Sequence, residues 1–257
     1  MDTVIHYGTL SNGFKSGGFN GANSNTTQQL QPYQEEVLTS YELGAKTTLL
    51  DGSMQLNAAT FFYDYEDKQE QDVAVTFVGN IAGLTNVPKS EIFGAEVDLQ
   101  WLPMEGLSIN AGIAWLDTEV TEWEAVDPAA SAWPVTVTRD VSGIELAQAP
   151  EWSYTALASY EWLLGNNLRM EVAGDLTFTD DTTGGAEPQN ATEDYTLFNA
   201  RFGVGAVDGS WRALLWMRNL TDEDYYPAAY TGGNGPFVRS YGMPRTYGVT
   251  LSYFLGQ

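Results

Sequence analysis

Apolar and polar residues alternate with a period of two along almost the whole chain. In residues 91–103, Phe93, Ala95, Val97, Leu99 and Trp101 oppose Gly94, Glu96, Asp98 and Gln100. In 107–120, Leu107, Ile109, Ala111, Ile113 and Trp115 oppose Ser108, Asn110, Gly112 and Ala114; in 194–207, Phe198, Ala200, Phe202 and Val204 oppose Asn199, Arg201, Gly203 and Gly205. The same dyad runs through 40–50, 54–65, 151–163, 168–178, 210–220 and 246–255, with a weaker instance at 3–10. A two-residue period places alternate side chains on opposite faces of a strand, so the pattern predicts ten half-buried strands and an all-β, antiparallel fold.

Connections alternate between short and long. Residues 50–54, 102–106, 162–167 and 206–210 carry the Gly, Asn, Asp and Pro chemistry of tight hairpins. Long polar loops are predicted near 11–37, 67–90, 120–147, 179–193 and 221–245. Five long loops at one end suit a transmembrane β-barrel better than a compact soluble sandwich. Alternation alone does not choose between them, because the apolar face packs on a second sheet in one and meets lipid in the other. Two details favour the barrel. Inward positions are small or polar, as at Gly94, Glu96, Asp98, Gly203 and Gly205, and aromatics gather near strand ends, at Trp101, Trp115, Tyr160, Trp162, Trp211, Phe61 and Tyr63, as interfacial girdles do.

Composition narrows the chemistry. The 257 residues hold 11 Lys+Arg against 34 Asp+Glu, a formal charge of −23. Such a surface repels nucleic acid, and 13% aromatic content argues against disorder. Cysteine is absent and His6 is the one histidine, which excludes disulfides, zinc-thiolate centres and multi-histidine sites. The start of the chain has no basic and apolar leader pattern, and no run of residues is long and apolar enough for a transmembrane helix.

Several segments resemble TonB-dependent outer-membrane receptors, in the family's own order. "GFKSGGFNG" (13–21) looks like a loop segment from midway through that barrel, and 41–69 resembles the strand–turn–strand after it. Residues 90–120 resemble the next hairpin, and "RNLTDEDYY" (218–226) with "GMPRTYGVTLSYF" (242–254) resembles the C-terminal signature. The resemblance implies the C-terminal portion of a barrel of about 22 strands, set in outer-membrane lipid, with the N-terminal barrel strands, plug domain and signal peptide lying outside these residues. It implies energy-coupled uptake of a scarce solute, most often a ferric siderophore, with TonB acting through the plug. It implies no enzyme activity and no cofactor. A small standalone barrel and a soluble ligand-binding sandwich are the other readings. Barrels of the family usually end on an aromatic, whereas Leu255, Gly256 and Gln257 follow Phe254 here.

Within that frame, the Gly-rich segment around Gly13, Gly17, Gly18 and Gly21 is expected to form a loop tip presenting Phe14, Lys15, Phe19 and Asn20. The last long loop offers Tyr225, Tyr226, Tyr230, Asn234 and Phe237 as further solute contacts. Glu96, Asp98, Asp175 and Arg201 are expected to face the lumen, with Arg201, Arg212 and Arg218 pairing to acids such as Glu96, Asp98 or Asp175. The acidic run 64–72 reads as solvated loop charge, since it lacks the regular ligand spacing of a calcium loop. The sequons at Asn25, Asn190 and Asn219 carry little weight, and no nucleophile elbow accompanies His6.

Overall fold

In the computed structural model, which describes residues 2–19, 32–77, 79–231 and 237–254, all ten predicted strands are present. They are β1 (Thr3–Lys15), β2 (Glu36–Leu49), β3 (Met54–Thr76), β4 (Gly79–Met104), β5 (Leu107–Glu122), β6 (Trp152–Leu164), β7 (Leu168–Thr179), β8 (Tyr195–Ala206), β9 (Trp211–Arg218) and β10 (Thr246–Tyr253). Each pairs antiparallel with its sequence neighbour in one ten-stranded sheet. Among the described residues β1 and β10 do not pair, and no second sheet covers the apolar face, so neither a closed ten-stranded barrel nor a sandwich is formed.

Register sorts the side chains cleanly, because directly paired residues share a face. One face carries rows such as Val172–Phe202–Leu215–Val249, with Val249 65% exposed. Near the long-loop end this face holds an aromatic band, in which Phe93 meets Trp115 edge-on at 5.7 Å and Tyr154 stacks on Phe178 at 4.4 Å. Near the short turns lie Trp101, Tyr160, Trp162, Trp211 and Tyr253, with Tyr160 stacked on Trp162 at 5.4 Å. From Tyr154 to Trp162 the strand rises about 27 Å, close to the height of the apolar band of a membrane barrel. Phe61 and Tyr63 are not part of these girdles. They lie on the opposite face, stacked at 4.6 Å, with Phe61 occupying the space above Gly94.

The polar face carries Glu96, Asp98, Asp175 and Arg201, as register requires. Arg201 and Arg212 do not reach the acids expected of them. Both bind Glu171, Arg201 through Nε at 3.0 Å, because Glu171 sits directly across from Gly203, between the two arginines, within reach of both guanidinium groups. Asp175 instead accepts from Asn199 Nδ2 at 2.6 Å, and Arg218 stacks over Trp216.

The long loops differ most from expectation. The 67–90 loop is instead a hairpin arm, since β3 and β4 pair continuously to Thr76 and Gly79. β1 also runs on through Lys15, pairing Phe14 with Val37, so Phe14 and Lys15 are strand residues. Gly18–Phe19 forms a short ribbon with Pro32–Tyr33.

Candidate solute site at the long-loop end

Past the membrane band, neither face of the arm meets lipid, and its polar residues become structural. Gln69 is buried, and its Nε2 donates to the carbonyls of Ser16 and Gln34, both at 3.0 Å. Its backbone N–H donates to Glu36 Oε2 at 2.8 Å. Asn86 donates to Asp67 O at 2.7 Å, accepts from the Gln34 N–H at 2.7 Å and sits beside the left-handed Asp67. These two amides fasten the β1–β2 connection to the arm.

The 123–151 loop folds over the arm. It contains a ribbon, Glu124–Val126 with Thr138–Asp140, and its segment 141–144 hydrogen-bonds along the end of β5, with Val120 N donating to Ile144 O at 2.8 Å. Val87, Val120, Trp123, Ala125 and Leu146 pack with Ala186 of the next loop into a buried core. Asp72 accepts the N–H groups of Val73 at 2.7 Å and Val126 at 3.3 Å. Burial raises its carboxyl above the ordinary range against the pull of those two donors, and burial likewise lowers the Lys68 ammonium. The stretch 64–72 is therefore not a solvated loop.

Arm, 123–151 loop, 180–194 loop and the Ala228–Thr231 strand enclose a cavity of about 520 Å³, within the usual range for a small-molecule pocket. Lys68, Asp72, Trp123, Glu187 and Tyr230 are on its walls. Among the described residues, Tyr230 is the sole member of the expected contact set on this lining. Phe14, Phe19 and Phe237 are exposed elsewhere on the loop end. Tyr225 packs against Tyr195 with tilted rings at 4.8 Å, filling the space over Gly242, and Tyr226 is buried under Arg239, whose guanidinium lies 4.2 Å from its ring centroid. Asn20 and Asn234 lie outside the described residues. The sequon residue Asn219 is structural: it is buried and left-handed, donates to the carbonyls of Glu223 and Met243, and accepts the Glu223 N–H.

A family model described as TonB dependent receptor-like, beta-barrel, matches residues 2–220. The chain belongs to the TonB-dependent receptor family. Its place is the bacterial outer membrane, and the family is one of transport receptors. The ferric-pyoverdine 358 receptor of Pseudomonas putida is 24% identical over 226 residues, covering 87% of this chain and 24% of that receptor. The ferric yersiniabactin uptake receptor FyuA from Yersinia pestis shares the fold with a TM-score of 0.75 at 18% identity, over 96% of this chain and 34% of FyuA. The siderophore receptor PiuA from Acinetobacter baumannii follows at 0.74 and 20%, over 96% and 33%. The chain thus spans about a quarter of the curated TonB-dependent receptors it matches, and its ten strands form part of a larger barrel.

Proposed function

We propose that this chain is the C-terminal barrel portion of an outer-membrane receptor that imports a ferric siderophore. The observation that carries the reading is the family match over residues 2–220, joined by curated relatives whose names include a ferric-pyoverdine receptor. The physical argument agrees: lipid tolerates no open sheet edge, and both β1 and β10 present one. Further strands flank this sheet in a barrel of about 22.

The division of labour follows from the two faces. The apolar face seals against lipid, the polar face is channel wall, and the cavity end captures solute. A plug domain supported by the remaining strands gates the lumen, and TonB supplies energy through that plug. Transport is the proposed role, without chemical conversion of the solute.

Radioactive iron uptake tests this in bacteria stripped of other siderophore receptors. The receptor carrying this chain restores energy-dependent uptake of a ferric siderophore, and the isolated 257-residue chain does not. Energised uptake by the isolated chain overturns the proposal, as does failure of the complete receptor with every ferric siderophore class.

A further inference from the structure

The cavity lining is unbalanced in charge. Among the described residues its one cation, Lys68, is tied to Glu70 in an ion pair. Asp72, Glu145 and Glu187 remain on the walls without a cation of the lining to match them. Arg139, off the lining, donates to the Ala186 carbonyl and keeps its charge, which offsets one of these acids and leaves the site net negative. Glu187 in turn acts on the Asp72 carboxyl in the same direction as its burial, so the acids feel one another across the site.

The surroundings extend the imbalance. Residues 16–35, 67–88, 123–151, 180–194 and 219–245, the connections and arm of the long-loop end, hold 17 acidic and 4 basic side chains. A cleft walled by one sign of charge concentrates ligands of the opposite sign and depletes those of its own. The half-exposed Tyr230 ring on the lining adds a face that attracts cations.

Ferric siderophores divide by charge. Iron(III) held by three hydroxamates is neutral and becomes cationic with a pendant amine, whereas three catecholates leave a triple negative charge. We propose that the solute taken by this site is a neutral or cationic ferric complex of the hydroxamate kind, and that the loop end rejects ferric tris-catecholates. The inference rests on the ferric-siderophore reading and adds the substrate class to it.

The test is equilibrium binding to the receptor carrying this chain, in detergent at low salt, followed by tryptophan quenching. Three probes suffice: a cationic ferric tris-hydroxamate, a neutral one and a ferric tris-catecholate. The cationic complex should bind at least about tenfold more tightly than the catecholate, and its affinity should fall as salt is raised. The double variant Glu145→Gln/Glu187→Gln, which keeps side-chain shape, should narrow that ratio by about threefold or more. Equal or tighter catecholate binding overturns the charge inference while leaving siderophore uptake standing, and so does an unchanged ratio in the double variant. Binding of none of the three overturns the ferric-siderophore reading itself.

Discussion

Replacing Gln69 by alanine should loosen the anchor of the β1–β2 connection without disturbing the barrel wall. The buried amide makes two good bonds to the Ser16 and Gln34 carbonyls, and a longer contact of 3.4 Å to Lys15 O. Each good bond contributes about 1–1.5 kcal/mol net, and Gln34 O keeps only its longer 3.2 Å contact from Asn86 Nδ2, so local opening becomes easier by about 2–3 kcal/mol. That corresponds to a roughly 30- to 150-fold rise in opening. Hydrogen exchange read by mass spectrometry should show it in peptides covering 14–19 and 32–38, while a peptide from β8 and β9 stays unchanged as an internal control. Gln69→Glu should do at least as much damage, since a carboxylate cannot donate to those carbonyls. Protection within about threefold of the parent in both variants, far below the change expected from two buried bonds, would refute the assignment of Gln69 as the anchor.

Three further outcomes follow from the geometry. Because burial raises the Asp72 carboxyl, its ionisation opposes the folded loop end: local stability is greatest in acid and is lost as pH climbs from about 4 through the raised value, so Asp72→Asn should flatten the pH dependence of exchange in 120–128. Glu171→Ala leaves Arg201 and Arg212 side by side without their shared acid; with partners that are partly exposed, the expected cost is about 1–2 kcal/mol, seen as a lower temperature for loss of the compact band on gels. Val97→Arg, midway between Phe93 and Trp101, puts a charge into the middle of the lipid at a cost of about 2–4 kcal/mol and should sharply reduce outer-membrane yield, whereas Asp98→Arg, one residue away on the polar face, should be inserted normally.

The strands were legible where lipid and lumen impose opposite demands on neighbouring residues. Phe93 to Trp101 could be assigned to faces from sequence because Val97 and Asp98 cannot exchange places in a membrane. That demand ends above the aromatic band. The arm residues Lys68, Gln69 and Asp72 are polar on both faces, since both meet other loops, and the resulting pattern resembles a loop; the alternation in Asp72–Val73–Ala74–Val75–Thr76 is the faint signal that remained. Partner choice was hidden for another reason. Glu171 binds Arg201 and Arg212 only because of a register across three strands, which spacing along one strand does not encode. Asn219 illustrates the same limit: its sequence context matches a sequon, while its left-handed backbone and buried hydrogen bonds make it the fastener of the last long loop. Trp123 carried no periodic signal, because the core it joins is assembled from separate loops.

The two free edges of the sheet run in opposite directions, β1 toward the long-loop end and β10 away from it. An antiparallel ring can be completed from such edges only by an even number of strands, the first descending beside β1 and the last ascending beside β10. The two seams are also unequal: β1 offers 13 residues for pairing and β10 offers 8. The strand that zips onto β1 therefore gains the longer ladder of hydrogen bonds, and the seam at β10 is the one whose closure is more easily reversed.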